Sequence, residues 1–323
     1  MIKRTIEIST QPMHLTTRNG QLLLLRKEGL PKRLPAEPPD LAASIPCEDL
    51  GVVLIEHAGT TYSHAALTTL LSHDAAVVIC GPDHLPAGML LPMMDHSEVV
   101  HRLHDQISIK KPLRKRLWKQ IVQAKIRAQA ENLPAGSSIR ARLLALVRNV
   151  RSGDPTNVEA QAARAYWQVW LQSDGAEAHN TPFRRDPAGP PPNNFLNYGY
   201  SVLRAAVARA IVSAGLTPAL GIHHHNRANS FCLADDLVEP LRPVVDEQVR
   251  ELHHDGHTEL TPAAKTVLLE SLTLRVRTSD GTGPLMVGLH KYIASFVQCL
   301  RGAADCLAIP VVDTPEAADS PEE

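Results

Sequence analysis

A chain of 323 residues exceeds the usual span of one hydrophobic core, so two domains are expected. Apolar residues at 44% and charged residues at 21% fit a globular protein. With no run of 18 apolar residues and no apolar centre in the opening MIKRTIEIST, the composition argues against a membrane span or secretory leader and for a cytoplasmic protein. The net charge of −1 names no partner by itself, and the five cysteines (Cys47, Cys80, Cys232, Cys299 and Cys306), odd in number and without a CxxC pair, argue against a disulfide framework or structural zinc.

The first 95 or so residues read as strand. Residues 3–8 alternate, and Asn19-Gly20 separates two strand-like runs, a hairpin signal because both residues tolerate positive φ. VVLIEH (52–57) and AAVVIC (75–80) are short apolar runs of buried-strand type. HAALTTLLSH between them has helical spacing. Prolines 31, 35, 38, 39 and 46 predict a loop or irregular edge over the intervening stretch.

From about residue 100 the period becomes helical. Helices are expected over 113–131, 137–149, 157–171, 194–214, 232–252, 262–272 and 284–302. Asp154-Pro155 reads as a cap followed by a first-turn proline, and Ser230 stands where a cap for the next helix would be. Residues 174–193 read as an exposed loop or clamp. The expected class is α+β: a small β-rich, sandwich-like domain over 1–95 and a larger all-helical domain over 96–305. Residues 306–323 are expected to form an acidic, disordered tail.

Charge is unevenly spread. Asp313, Glu316, Asp319, Glu322 and Glu323 at the end leave the rest of the chain at +4. Residues 110–119, KKPLRKRLWK, carry six bases and no acid. A local patch of this kind can hold phosphates whatever the total charge, although a solvated helix start explains any one of its side chains equally well.

Three helical-domain segments place acids and histidines in apolar surroundings: Glu159 in DPTNVEAQAARAYW, the run LGIHHHNR, and Asp236 with Glu239 in FCLADDLVEPLRPVVD. Asp236 and Glu239 are three apart on one helical face. Leu233, Leu237, Leu241 and Val244 form the apolar stripe beside them, and Pro240 removes an N–H and should bend the helix there. Two carboxylates and an imidazole from separate helices suit a hard divalent ion that activates a hydroxyl against a phosphodiester. Ordinary readings stand beside this one. Glu159 fits a surface helix position, Asp236 and Glu239 fit ion pairs with Arg242 and Arg250, and neighbouring histidines cannot all face one ion.

The strings GDPTNVEAQAARAYW (153–167), NNFLNYGYSVLRAAVARAIVSAGLTPALGIHHHN (193–226) and FCLADDLVEPLRPVVD (231–246) resemble the CRISPR-associated integrase family, the Cas-one proteins, in the branch found with type II systems. The Asn19-Gly20 hairpin, VVLIEH and CGPDHLPAGMLLPM (80–93) fit the same pattern, so the resemblance spans about 3–305. It implies a β-sandwich-like dimerisation domain followed by a helical catalytic domain. It places the catalytic, metal-binding set on Glu159, on His224 (three residues after Gly221, rather than His223 or His225) and on Glu239. Asp236 follows as a weaker metal ligand or a support, with Asn197 and Tyr198 in structural roles.

The same resemblance implies Mg²⁺ or Mn²⁺, a homodimer, and assembly with the small Cas-two protein on double-stranded prespacer DNA and CRISPR repeat DNA. The effector nuclease of the same system is a further partner. The chemistry implied is attack of a 3′-hydroxyl on phosphodiesters at the repeat ends. Lys110, Lys111, Arg114, Lys115, Arg116, Lys119, Arg184 and Arg185 are the candidates for holding DNA backbone. The alternatives are an unrelated metal-dependent phosphoesterase and a catalytically silent DNA-binding scaffold.

Overall fold

The computed structural model describes residues 3–26, 38, 40–93, 96–172, 183–279 and 281–313. The loop expected over residues 31–37 and at Pro39, much of the loop over 174–193, and residues 314–323 of the tail lie outside them.

In chain order the N-terminal part contains β1 (Arg4–Ile8), β2 (Met13–Arg18), β3 (Gln21–Arg26), β4 (Leu41–Pro46), β5 (Leu50–Ile55), β6 (Thr61–Tyr62), α1 (His64–Ser72), β7 (Ala76–Cys80) and β8 (Pro86–Leu90). Two four-stranded sheets result, ordered β1-β5-β7-β8 and β4-β3-β2-β6. The hairpin between β2 and β3 turns at Asn19 (φ 51°) and Gly20 (φ 72°), the left-handed pair that lets a two-residue loop follow the strand twist. β4, in the stretch expected to be a loop or irregular edge, is an edge strand, paired with β3 through a register shift at Leu24/Leu25. Its LAASIP lacks the apolar alternation that would have marked it.

β5 is buried along its whole length. Successive side chains of a strand point to opposite faces, and here the two faces serve two cores. Val53 and Ile55 join Ile8, Leu15, Leu22, Leu70 and Val77 between the sheets and α1. Val52 and Leu54, with Val78 of β7, join the core of the helical part. The continuous apolar run LGVVLI is thus what seats the β-rich part on the helices.

The second part contains α2 (Val99–Ser108), α3 (Lys111–Glu131), α4 (Ser138–Asn149), α5 (Val158–Val169), α6 (Asn193–Ser213), α7 (Cys232–Val238), α8 (Arg242–His254), α9 (Pro262–Glu270) and α10 (Leu285–Leu300). α6 is buried on nearly every side and forms the central post of this core. The chain is therefore α+β, with a larger helix-rich part following the β-rich one. That part is helix-rich rather than all-helical. β9 (Arg275–Thr278), β10 (Gly281–Pro284) and β11 (Val311–Val312) form a small antiparallel sheet ordered β10-β9-β11. β9 was hidden because only Val276 of its RVRT is buried. Residues 306–313, expected to be tail, return over the helices: Leu307 is buried, and β11 pairs with β9.

The caps differ from expectation in detail. Asp154 does serve the start of α5, accepting the amides of Val158 and Glu159 at 2.9 Å each, but from three residues further out, with Asn157 in the left-handed region between. Ser230 makes no cap; the helix begins after Phe231, whose side chain cannot accept an amide. Pro240 has the expected effect. The helical run over 232–254 breaks into α7, a 3₁₀ turn at Glu239–Leu241, and α8.

Candidate active site

Glu159 is the second residue of α5, its amide fixed by Asp154, and its side chain points to α3. Glu239 lies on the 3₁₀ turn that Pro240 imposes, 7% exposed. The two glutamates meet on Lys125 of α3, whose ammonium donates to Glu159 Oε1 and to Glu239 Oε2, the latter at 2.6 Å. Arg242, one turn on, reaches Glu239 Oε1 at 3.1 Å. Burial alone would push the Glu239 carboxyl up. Arg242 and Lys125 overcome it and hold it at about 2. The ion pair considered between the acids and Arg242 is thus present at Glu239, whereas Arg250 pairs with Glu247.

His224 comes from the loop between α6 and α7. Asp236, fully buried on α7, organises that loop with both oxygens. Oδ2 accepts the amides of Ile222 (2.6 Å) and His223 (2.9 Å), and Oδ1 accepts the amide of His224 (3.0 Å) and faces its Nδ1 at 2.7 Å. A buried carboxylate with its acceptor positions this fully engaged supports the histidine and has little left for a metal. The Asp236 contact raises the His224 pKa above its usual value, and burial only partly opposes it. With Nδ1 turned to Asp236, Nε2 is the nitrogen left for other partners. Gly221 makes the turn possible. A Cβ there would stand 2.3 Å from the carbonyl oxygen of His224 and 2.8 Å from Asp236 Oδ2.

Against the expectation that neighbours face apart, the rings of His223 and His224 lie 5.4 Å apart, edge to face, on one indole. His223 stacks on Trp118 of α3 with ring centroids 3.9 Å apart, and burial lowers its pKa. His224 meets the same indole edge-on at 5.9 Å. His225 is exposed and turns back to the carbonyl of His223.

Of the basic candidates, Lys110, Lys111, Lys115 and Arg116 are exposed at the start of α3, while Arg114 and Lys119 are half-buried. Arg116 pairs with Asp305 at 2.9 Å. The Lys115 stem lies against Gly153, at the loop that leads into Glu159. Arg184 is exposed. Arg185 is held inward, donating to Asn193 at 3.0 Å and Asn197 at 2.6 Å and lying over the Tyr200 ring. Asn197 also donates to the Pro187 carbonyl, and Tyr198 donates to Glu7 at 2.6 Å, both structural placements.

Lys125 is the residue that reading the sequence missed. Its signal was a lone base inside the apolar stripe of α3, between Val122 and Ile126, both buried. Among the described residues no three histidine, cysteine or acidic side chains already converge as a metal cage. What Glu159, Glu239 and His224 provide is the donor chemistry for one, two carboxylates and an imidazole nitrogen, with an ammonium between the carboxylates.

The β-rich part is thus seated on the helical one, and acids with an oriented histidine are gathered from α5, the 3₁₀ turn, α7 and the loop before it. Residues 7–275 match the family model described as CRISPR associated protein Cas1. Over 257 residues the chain is 37% identical to a CRISPR-associated endonuclease Cas1 of Neisseria meningitidis, covering 78% of this chain and 82% of that protein. A second relative, from Pyrobaculum aerophilum, is 27% identical over 79% of this chain and 89% of its own length. Among solved structures, a casposase bound to integration product aligns with TM-score 0.75 at 19% identity, covering 95% of this chain and 93% of that one. A Thermotoga maritima Cas1 aligns with TM-score 0.69 at 15% identity, covering 93% and 97%. These two likenesses concern the fold. The chain belongs to the Cas1 family, the Cas-one proteins of the sequence resemblance, and so to a class of CRISPR-adaptation DNA integrases and endonucleases.

Proposed function

We propose that this chain inserts prespacer DNA into the CRISPR array, a 3′-hydroxyl of the prespacer attacking a phosphodiester at the end of a repeat. The observation that carries the reading is the meeting of Glu159 and Glu239, 80 positions apart in sequence, on one ammonium, with an imidazole oriented by Asp236 within electrostatic reach of Glu239.

Glu159, Glu239 and His224 Nε2 would hold Mg²⁺ or Mn²⁺; oxygen donors suit either ion, and the imidazole favours Mn²⁺. Bound there, the ion would polarise the phosphate and favour the ionised attacking hydroxyl. The protein's own residues do the rest. Asp236 fixes the histidine tautomer and ring orientation, and Gly221 lets the loop close around that carboxylate. Glu239, with a pKa of about 2, is ionised at any working pH and releases no proton on ligation.

The exposed bases at the start of α3 would bind backbone phosphates, Lys115 nearest the loop that carries Glu159. Lys125 lies ten residues further along the same helix, about 15 Å on, so phosphates held by the basic run would lead toward the glutamates. Each phosphate neutralised releases counterions, so affinity would fall steeply with salt. Arg184 belongs with this group, and Arg185 serves as an anchor for its loop.

The assembly we propose is a homodimer joined through the β-rich part, where β4 and β6 are sheet edges with Leu41 and Tyr62 exposed. The dimers would be bridged by a Cas2-like protein. A solved Cas6-RT-Cas1–Cas2 complex, to which this chain aligns with TM-score 0.72 at 17% identity over 97% of its length and 36% of that chain, supports such a partner. A cytoplasmic location follows from acting on chromosomal DNA. Among the described residues no helix is long and apolar enough to cross a membrane.

A strand-transfer assay with labelled prespacer and repeat DNA tests this function. Joined products are expected, lost when the prespacer ends in a 3′-deoxynucleotide. Hydrolysis alone would indicate a phosphoesterase, and binding without either product a silent scaffold.

A further inference from the structure

Lys125 stands where the chemistry of the site asks for a cation. Its side chain is 12% exposed, and its ammonium bonds to one oxygen from each glutamate. With Arg242 on the remaining Glu239 oxygen, two positive charges meet two negative ones. Without Lys125, the two carboxylates would face each other with Arg242 alone to balance them, in surroundings that water only partly reaches. Like charges crowded together away from water disfavour the assembled site. α3 itself is fixed, since Leu117, Trp118, Ile121, Val122 and Ile126 on either side of the lysine are buried. A rearrangement of Lys125 would therefore fall to its four-carbon stem, with α3 left packed.

We propose that Lys125 is a built-in stand-in for the metal. It holds Glu159 and Glu239 together until a divalent cation arrives, and it gives up that place when the cation binds. This inference rests on the reading of Glu159, Glu239 and His224 as a metal site. The reason is exclusion: Mg²⁺ takes its oxygen ligands at about 2.0–2.1 Å. The ammonium already occupies the position between Glu239 Oε2, at 2.6 Å, and Glu159 Oε1. Both cannot use the same two oxygens. Lys125 is therefore a positioning residue: it acts through the glutamates, keeping the site assembled while metal-free and setting how strongly metal must compete to enter.

The test uses the full chain and metal alone. Mn²⁺ affinity is read from the free-ion electron paramagnetic resonance signal, and melting is followed in EDTA and in Mn²⁺, for the parent, Lys125→Met and Lys125→Gln. Removing the competitor should lower the Mn²⁺ Kd by about tenfold or more. It should also lower the melting temperature in EDTA, with Mn²⁺ restoring more of it than in the parent. An ordinary structural ion pair would lower the melting temperature and leave Mn²⁺ affinity unchanged or weaker, which overturns the proposal.

Should neither variant fold, the parent answers through nitrogen-15 resonance of its lysines. The Lys125 ammonium signal should be protected in EDTA and lose that protection on saturation with Mg²⁺, and its persistence would overturn the proposal. Glu159→Gln separates the two levels of the argument. If that variant binds Mn²⁺ like the parent, the metal-site reading fails. If it loses binding while Lys125→Met leaves affinity unchanged, only the role of Lys125 fails.

Discussion

Asp236 and His224 are joined by a 2.7 Å contact between Oδ1 and Nδ1, and the same carboxylate gathers three consecutive backbone amides of the loop that carries the histidine. One buried side chain thus sets the tautomer of the imidazole, its orientation and the path of its backbone. Asp236→Asn keeps the shape but places an NH₂ group against N–H donors. Joining activity should fall about 10- to 100-fold, the usual size of such support effects. The fold should lose roughly 1–3 kcal/mol for donors left unpaired. Kinetics and urea unfolding of the same preparation check both. Activity within about twofold of the parent would show that His224 does not depend on this carboxylate.

Gly221 makes a second, purely steric prediction. The Cβ of Gly221→Ala would press on backbone, the His224 carbonyl, which has no rotamer with which to yield. The substitution should destabilise the protein by about 1–3 kcal/mol and displace His224 from Asp236, lowering joining more than DNA binding. A variant as stable and as active as the parent would mean that the loop opens freely.

The contact between the two parts of the molecule carries a pH dependence. Tyr198 of α6 donates to Glu7 of β1, and burial raises the Glu7 carboxyl from 4.5 to about 6. Between those values the folded protein keeps a proton that the unfolded chain has released. Stability should therefore fall as pH rises through that window, and the penalty is complete above about 6. Allowing for its partial exposure, Glu7→Gln should stabilise the protein by about 1 kcal/mol at neutral pH and change little at pH values below the window. The gain should be visible as a flatter profile of melting temperature against pH. A loss of stability at neutral pH would contradict it.

Residues 314–323 contain four acids, Glu316, Asp319, Glu322 and Glu323, and no apolar periodicity. Deleting them should leave assembly and joining close to unchanged. Deleting from 306 onward removes Leu307 and β11 as well and should lower the melting temperature. A shorter deletion that abolished dimerisation, followed by sedimentation, would show that the last residues dock.

The parts legible in the sequence were those where one residue pattern has one physical outcome. Asn19-Gly20 demanded a left-handed turn, the run 52–55 had to be buried, and Pro240 could not continue a helix. Strands of weak pattern escaped notice: β4 has little alternation, and β9 buries Val276 alone. At the site, the donor types of Glu159, His224 and Glu239 were readable, and family resemblance chose among the histidines. Lys125 was not readable, because helical periodicity says that a base in an apolar stripe faces inward but not which acids it meets. Asp236 was read as an acid near the site. Its support of the loop needed the fold, since its partners lie 12 to 14 residues earlier in the chain.

The most direct measurement compares joining rates of Glu159→Gln, Glu239→Gln and His224→Ala with those of His223→Ala and His225→Ala, with DNA binding and circular dichroism recorded for each. The first three should keep their fold and DNA affinity and join at under about a tenth of the parent rate, a loss above roughly 1.4 kcal/mol. His223→Ala, which loses its stack on Trp118, and His225→Ala, which is exposed, should be milder. Joining above a tenth of the parent rate in the first three variants, or equal losses for all three histidines, would contradict the assignment of the site.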